Sequence, residues 1–277
     1  MLIRIMPKWL HPMFLPSNLI SSARQALKER GFMYTLIRAV ELPQRIMIGW
    51  YTGLAGRAFD RRHGTETSEI VEFPADLVNG DNQLYGNSYV PTPPKIFHQI
   101  IRSLDICFSD FTFIDFGSGK GRVVIMALEY DFAKVVGVEY SVPLHDIAAK
   151  NVQVFQASRP GNLPVVELFC SDAAKFKFPG GNKILYFANP FSEKVMEPIL
   201  DNLSAITKTE SPFPSIYLIH VPNQKFSPDF FFRNRFGLTK RLGITDFTGM
   251  GRDVLIYQLM PLSSFPLRLK QGGLLCS

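Results

Sequence analysis

The chain has 277 residues, of which 46% are hydrophobic, and its formal net charge at pH 7 is +6. This length fits one α/β domain with an extension, and the hydrophobic content is that of a globular chain that buries a core. The three cysteines (Cys107, Cys170 and Cys276) offer neither a metal-binding spacing nor an even disulfide framework. That pattern favours a reducing compartment, and we expect a cytoplasmic protein without a metal site.

The positive charge is concentrated near the N-terminus. Residues 1–62 contain ten Lys and Arg against three Asp and Glu, whereas the remainder contains 20 against 21. A basic helical extension is therefore predicted over residues 1–58. We expect it to pack on the domain as a cap, and the alternative is contact with an anionic membrane surface or an acidic partner. Its longest apolar run, residues 46–51, is too short to span a bilayer, and no signal peptide is predicted.

Residues 59–94 are predicted to form a loop or lid segment. Residues 59–67 are dense in polar groups, and residues 73–87 contain the turn signals Asn-Gly-Asp and Tyr-Gly-Asn. Such a loop ahead of an α/β core is either a lid over a site or an ordinary surface connection, and the sequence leaves both open. At its end, Thr92 is the predicted N-cap of a helix that starts at Pro93.

A glycine-rich stretch is the most informative part of the sequence. The apolar run 111–114 predicts a buried strand, and a helical pattern begins at residue 122. Between them lie Asp115 and three alternating glycines, Gly117, Gly119 and Gly121. Glycines allow a backbone to approach a ligand closely, and a helix start offers free N–H groups. The stretch therefore predicts a strand–turn–helix ligand site.

The next predicted strand, Lys134–Glu139, ends in a carboxylate. Glu139 follows the glycine turn at about the distance, roughly 20 residues, at which βαβ sites place the acid that binds ribose hydroxyls. The dinucleotide fingerprint G-x-G-x-x-G does not fit, because the third glycine comes one residue early and Arg122 follows it.

The remaining elements predict an α/β fold. Five more strands are predicted, over residues 165–170, 182–188, 215–219, 236–247 and 254–260. Helices are predicted over residues 95–104, 142–155, 192–207 and 228–235. The alternation predicts a Rossmann-like, doubly wound parallel sheet within residues 95–277, and the last two strands, joined without a helix, predict an antiparallel edge.

The pattern D-x-G-x-G-x-G, formed by Asp115 and the three glycines, resembles motif I of the class I S-adenosylmethionine (SAM) methyltransferases. Seven strands with an antiparallel edge are also the arrangement of that family. The resemblance implies that SAM is the cofactor and that Asp115 lies near its amino group. It also implies that the turn residues lie against the methionine part of SAM: Gly117, Ser118, Gly119 and Gly121.

Polar residues end four consecutive predicted strands: Asp115, Glu139, Asp172 and Asn189. Open α/β sheets bind ligands at the carboxyl ends of their strands, so we expect these side chains to meet at one edge as a nucleoside pocket. In that pocket Glu139 takes the ribose hydroxyls through charge-assisted hydrogen bonds, and Asp172 accepts from the adenine amine.

Tyr89-Val-Pro-Thr92, together with motif I and Asn189-Pro-Phe191, resembles the seven-β-strand protein lysine methyltransferases. That group includes non-SET histone lysine methyltransferases and smaller relatives. The resemblance implies that Tyr89 and Thr92 lie beside the methionine moiety, and that Asn189 and Phe191 form the rim of the methyl-transfer channel and act in catalysis. The nucleosome-binding extensions of the histone enzymes are not evident, so a histone substrate does not follow.

We therefore predict an enzyme that N-methylates a protein lysine side chain. An aromatic wall that desolvates the lysine amine is predicted from Tyr89, Phe187 and Phe191. No base is required, and His63 and His145 are the nearest candidates. The alternatives are a nucleic-acid methyltransferase, a small-molecule methyltransferase, and a non-catalytic SAM-binding or membrane-associated interaction module. The incomplete Asn-Pro-Pro-aromatic step weakens the first of these alternatives, and the basic N-terminus favours the last.

Overall fold

The computed structural model describes residues 53–71, 89–159, 161–188, 193–207, 210–221, 237–245 and 251–259. The strands in this part of the chain are β1 (Thr112–Phe116), β2 (Lys134–Glu139), β3 (Val165–Cys170), β4 (Lys183–Ala188), β5 (Ile216–Val221), β6 (Gly237–Thr245) and β7 (Gly251–Leu259). The α-helices are α1 (residues 53–63), α2 (Pro94–Arg102), α3 (Arg122–Ala127), α4 (Val142–Ser158) and α5 (Glu193–Thr207).

The seven strands form one sheet in the order β3-β2-β1-β4-β5-β7-β6. Strands β1 to β5 are parallel, whereas β7 runs antiparallel to both β5 and β6. This confirms the predicted α/β fold with an antiparallel edge. The strand order reverses between β1 and β4, and such a switch point is where open α/β sheets bind ligands.

Hydrophobic clusters cover both faces of the sheet. Phe113 of β1 belongs to the cluster beneath α2, α3 and α4, whereas its neighbour Ile114 belongs to the cluster beneath α5. Helix α5 contributes one apolar stripe to the second cluster: Val195, Met196, Ile199, Leu200 and Leu203. Since both faces are buried, the central strands are continuous apolar runs rather than alternating ones.

Strand β1 extends two residues beyond its predicted end at residue 114. Asp115 and Phe116 still pair with Gly137 and Val138 of β2. The carboxylate of Asp115 is therefore carried by the sheet itself and not by the loop that follows it. This position explains the burial of Asp115, which is 3% exposed.

The predicted N-cap of α2 is wrong by one residue. The helix begins at Pro94, its N-cap is Pro93, and no side chain caps it. Pro93 is extended, with φ −62° and ψ 133°. A residue that precedes proline is disfavoured from the helical conformation, so Pro94 prevents Pro93 from entering the helix. Thr92 lies one position further out and is buried.

Helix α1 crosses the predicted boundary between residues 58 and 59. The predicted helix over residues 228–235 and residues 1–52 of the predicted extension lie outside the described residues. Within the described residues, no helix is both long and apolar enough to cross a membrane.

Candidate active site

The glycine turn between β1 and α3 has a backbone that ordinary side chains rarely adopt. Gly117, Gly119 and Gly121 have φ values of 76°, 54° and 82°. The N–H groups of Gly117 and Ser118 donate to the carbonyl of Val138 at 2.8 and 3.1 Å, which ties the turn to β2. The turn is thus a fixed loop of backbone at the carboxyl end of β1, as the glycine spacing predicts.

Gly137 of β2 lies beneath this turn, and the sequence analysis did not single it out. A Cβ atom at Gly137 would lie 3.1 Å from the Ser118 hydroxyl, 2.9 Å from Val124 and 2.7 Å from Leu168. A glycine inside a strand often marks a close approach of other backbone, and that signal was present in the sequence. Here it leaves room for the side chains of Ser118, Val124 and Leu168.

Glu139, the predicted ribose acid, holds both the turn and the start of α4. One carboxylate oxygen accepts from the N–H of Gly119 at 2.8 Å, and the other accepts from the N–H of Ser141 at 2.8 Å. Burial raises the pKa of Glu139, and these backbone hydrogen bonds partly oppose that rise. Each carboxylate oxygen has a further lone pair, so both contacts leave acceptor sites for hydroxyl groups.

Asp115 is the most buried acid of the site. Burial raises its pKa well above the ordinary value, and the nearby charge of Glu139 raises it further. Within the described part of the chain, no hydrogen bond reaches its carboxylate. Burying a carboxylate is costly unless a cation or a hydrogen-bond donor pairs with it, so this carboxylate suits a cationic group that arrives with a ligand.

Asp172 lies just beyond β3, two residues after Cys170. Its carboxylate accepts from the N–H of Ala174 at 2.9 Å and caps the short 3₁₀ helix Ala173–Lys175. The contact between Asp172 and adenine remains a prediction. Asn189 and Phe191 lie outside the described residues, and their predicted roles rest on the sequence.

Tyr89 lies directly on the glycine turn. A Cβ atom at Gly119 would overlap the Tyr89 ring, so the ring packs directly against bare backbone there. The Tyr89 hydroxyl donates to the carbonyl of Thr67 at 2.8 Å, and burial raises its pKa. The predicted neighbours of the methionine moiety thus include one aromatic ring that already contacts the turn.

A short segment preceding Tyr89, residues 65–71, is part of this arrangement, and we call it the strap. Val71 and Tyr89 form an antiparallel bridge with N–H to carbonyl distances of 2.9 and 3.2 Å. Residues 59–67 are dense in polar groups, but nothing in the sequence indicates their partners. Their contacts reach Arg122, the first residue of α3.

The other predicted neighbours of the site have different places. Phe187 is fully buried and stacks on Phe116 at 5.0 Å within the second hydrophobic cluster, so it is a core residue and not an exposed wall. His63 is buried against Phe155 and Glu129, near the C-terminal end of α3 and away from the glycine turn. His145 lies in the first turn of α4.

The described residues fit the predicted cofactor on two observations. The buried carboxylate of Asp115 offers a counter-charge to an amino group, and Glu139 retains acceptor sites for ribose hydroxyls. At Gly119, between these two acids in the chain, the turn has no side chain, and the Tyr89 ring packs against its backbone. These contacts with SAM remain predictions for each residue.

A protein-family model matches the part of the chain that contains this site. The model of the family described as histone methylation protein DOT1 matches residues 74–178. That range contains the glycine turn, Asp115, Glu139 and Asp172, and it is less than half of the chain. No curated protein matches the sequence.

Solved structures of methyltransferases are similar in fold. A SAM-dependent methyltransferase from Aquifex aeolicus aligns with a TM-score of 0.43 at 14% identity, over 59% of this chain and 89% of that one. A magnesium protoporphyrin IX methyltransferase from Synechocystis, solved with bound SAM, aligns with a TM-score of 0.41 at 14% identity, over 60% of this chain and 77% of that one.

Proposed function

We propose that this S-adenosylmethionine-dependent methyltransferase transfers its methyl group to the amine of a protein lysine side chain. The cofactor is SAM, and the glycine turn with Asp115 and Glu139 is the proposed site that holds it. When bound, SAM supplies a methyl group activated by its sulfonium. The acceptor, in contrast, is inferred and is the subject of the experiments below.

The observation that carries the proposal is the match to a family described as histone methylation proteins, over the segment that contains the site. The motif Tyr89-Val-Pro-Thr92 supports it, because the same motif resembles the lysine methyltransferases. The nucleosome-binding extensions of the histone enzymes are not evident in the sequence. We therefore propose a protein substrate without naming a histone.

The residues of this chain have two tasks in such a reaction. They must align the amine with the methyl group, and they must keep water away. A lysine ammonium must also lose its proton, and an apolar surrounding lowers the pKa of an amine. The Tyr89 ring, which packs on Gly119, is a described aromatic group at the turn that supports such a surrounding.

Asn189 and Phe191 are the proposed acceptor-facing residues. If Asn189 orients the amine, Asn189→Ala lowers turnover about a hundredfold while SAM affinity changes little, as expected for the loss of one preorganised polar contact. Phe191→Ala acts in the same direction through the loss of an apolar wall. Unchanged turnover in both variants would place the acceptor elsewhere, and lost SAM affinity with an unchanged maximal rate would make Asn189 a cofactor residue only.

The acceptor class is tested with lysate from a strain that lacks the gene. The purified full chain and methyl-labelled SAM are added, and the label is followed after protease and nuclease treatment. The proposal predicts protease-sensitive, nuclease-resistant label that acid hydrolysis releases as methyl-lysine. Nuclease-sensitive label would establish the nucleic-acid alternative, and label in a small molecule other than SAM would establish the small-molecule alternative.

The membrane contact proposed for the basic residues 1–58 has its own test. Co-sedimentation of the full chain with anionic vesicles at low salt supports it, and binding should weaken as salt screens the charges. Absence of binding at low salt rejects the contact without affecting the methyltransferase function.

A further inference from the structure

A largely buried polar cluster outside the proposed SAM contacts joins α1 to the start of α3. We call it the clasp, and it consists of Asp60, Thr67, Ser68 and Arg122. The carboxylate of Asp60 accepts from the N–H of Thr67 at 3.0 Å, from the N–H of Ser68 at 2.8 Å and from the Thr67 hydroxyl at 2.6 Å. The Ser68 hydroxyl also donates to it. One carboxylate thereby holds two consecutive residues of the strap.

Arg122 grips the same two residues from the other side. Its Nε donates to the Thr67 hydroxyl at 2.7 Å and its Nη2 to the Ser68 hydroxyl at 3.0 Å, while Nη2 lies 3.9 Å from Asp60 Oδ2. The side chain is 2% exposed and its guanidinium stacks over Phe59 at 5.3 Å. Arg122 immediately follows Gly121, so this grip begins where the glycine turn ends.

The space for the guanidinium depends on a small residue of α1. A Cβ atom at Gly56 would lie 3.1 Å from both terminal nitrogens of Arg122 and from the Ser68 hydroxyl. A larger residue at this position would crowd the clasp. Helix α1 thus supplies Gly56, Phe59 and Asp60 to one buried cation.

Asn151 of α4 ties the strap to the turn a second time. Its amide oxygen accepts from the N–H of Glu66 at 2.9 Å, and its amide nitrogen donates to the carbonyls of Glu66 at 3.2 Å and Lys120 at 2.9 Å. Asn151 is 4% exposed and occupies a position of the apolar stripe of α4. The strap is therefore anchored beside residues 120 and 122, on either side of Gly121.

The strap in turn sets the position of Tyr89. The carbonyl of Thr67 accepts from the Tyr89 hydroxyl at 2.8 Å, and Val71 pairs with the Tyr89 backbone. The Tyr89 ring then lies on Gly119. A continuous series of contacts leads from Asp60 and Arg122 through the strap to the surface of the glycine turn.

This network is larger than packing of the strap requires. Buried charge pairs contribute little to stability compared with apolar residues of similar size, whereas fully satisfied polar networks fix one geometry. Both carboxylate oxygens of Asp60 accept hydrogen bonds. The hydrogen bonds that Arg122 donates fix the orientation of its planar guanidinium group. The geometry that this network fixes is that of the segment covering the turn.

We propose that Asp60 and Arg122 are positioning residues for SAM: they hold the strap so that Tyr89 closes the glycine turn around the methionine end of the cofactor. This inference rests on SAM binding at the turn and is independent of the proposed lysine acceptor. Neither residue touches the reacting atoms in this account. Their effect reaches the cofactor through Thr67 and Tyr89.

The first test measures SAM affinity by calorimetry on the full chain at pH 7. Thr67→Val removes the hydroxyl that links Asp60 to Arg122 but keeps the size of the side chain and the backbone groups of residue 67. We expect SAM to bind about tenfold more weakly, within the usual range of coupling between sites. Thr67→Ser retains the hydroxyl and is the matched control, for which we expect an affinity within about twofold of wild type.

Asp60→Asn and Arg122→Gln test the two charges directly. Each should weaken SAM binding by about tenfold, and the double variant should lose no more than either single one, because all act through one strap. Equal SAM affinity in a folded Thr67→Val or Asp60→Asn chain would overturn the proposal. Additive losses in the double variant would also overturn it.

The second test remains informative if a variant fails to fold, because it uses the wild-type chain. Coupling is reciprocal, so SAM must slow hydrogen exchange of the strap amides if the strap controls SAM affinity. We expect SAM to protect the peptide that spans residues 65–71, while a peptide from β7 is unchanged. Protection of the glycine turn without any protection of the strap would overturn the proposal. Since neither test uses an acceptor, a failed lysine methylation assay is distinguishable from a failed clasp.

Discussion

The pKa of the carboxylate is shifted in opposite directions at the glycine turn and in the clasp. At the turn, Asp115 is almost completely buried, and within the described residues no donor reaches it, so burial raises its pKa. In the clasp, burial also acts to raise the pKa of Asp60. Hydrogen bonds from Ser68 and Thr67 and the charge of Arg122 outweigh it, so the pKa of Asp60 lies below its ordinary value.

The difference separates an acid that suits a ligand from an acid that serves the fold. A buried carboxylate without a partner is explained when a cationic group pairs with it on binding. A carboxylate whose acceptor sites are filled by the protein needs no ligand, and its contribution is the geometry of the strap. Both acids act on the same turn, Asp115 from within the sheet and Asp60 through the strap.

The largest effect is expected from a substitution that breaks the contact between Tyr89 and Gly119, which joins the strap to the glycine turn. Gly119→Ala places a Cβ atom on the Tyr89 ring, in a backbone conformation with φ of 54°. The left-handed backbone alone costs about 1–2 kcal/mol. Displacing a packed ring adds a comparable amount. We expect the free energy of unfolding in urea to fall by about 3 kcal/mol and SAM binding to be lost.

Gly181→Ala is the matched control for Gly119→Ala. Gly181 has φ of 77°, and a Cβ atom there meets nothing within 4 Å. Its substitution therefore carries the backbone cost of about 1–2 kcal/mol alone. Equal losses in both variants would contradict the packing of Tyr89 on the turn.

The next largest effect is the loss of folding stability when the carboxylate of the clasp is removed. Asp60→Ala removes a set of hydrogen bonds and leaves Arg122 buried without its carboxylate, so we expect a loss of about 2–3 kcal/mol at pH 7. Asp131→Ala changes an exposed acid and should remain within about 0.5 kcal/mol of wild type. Urea denaturation measures both variants.

The loss in Asp60→Ala should also depend on pH in one direction. Because the pKa of Asp60 is lowered in the folded protein, its contribution is complete above the unfolded value of about 3.9. It is lost as the pH falls through the folded-state pKa. The gap between wild type and Asp60→Ala should therefore shrink as the pH falls below about 4, and a gap that is constant with pH would contradict a charged clasp.

The smallest expected effect concerns the acids of the turn. Asp115 and Glu139 have raised pKa values in the free protein, and a cationic amino group beside Asp115 would lower them. Binding of SAM should therefore release a fraction of a proton wherever these acids are partly protonated, and affinity should rise with pH until both acids are ionised. Calorimetry in buffers of different ionisation enthalpy measures this release.

Asp115→Asn provides the control for proton release. Without the titrating carboxylate, the remaining release from Glu139 should be smaller, and SAM affinity should depend less on pH. The same proton release in Asp115→Asn and in wild type would remove Asp115 from the amino-group site. Proton uptake on binding would contradict the assignment of both acids.

The sequence was sufficient for the turn because the relevant pattern is local. Three glycines at alternate positions and an acid at the end of the next strand lie within one βαβ unit, and the structure has them in that arrangement. Phe187 was misassigned because its position near the end of β4 does not reveal which face of the sheet it occupies. It lies in the core on the face covered by α5.

The clasp was not predictable because its partners are far apart in the chain. Asp60 and Arg122 are separated by 62 positions, and the polar residues between 59 and 67 have the composition of an ordinary loop. Two weak signals were present: Asn151 interrupts the apolar stripe of α4, and Gly137 interrupts β2. Asn151 marks a place where other backbone lies against α4, and Gly137 leaves room for the side chains of Ser118, Val124 and Leu168. Neither residue identifies its partners from the sequence.

The most direct test of the account is the affinity of SAM for the Glu139→Ala chain, measured by calorimetry beside wild type. Glu139 contacts the turn through Gly119 and is the proposed ribose acid. We expect binding to weaken by about 1.5–3 kcal/mol, the scale of a charge-assisted hydrogen bond. Glu167→Ala, on the exposed face of the edge strand β3, should bind SAM as wild type does. Equal affinity for Glu139→Ala and wild type would contradict the placement of the cofactor at this turn.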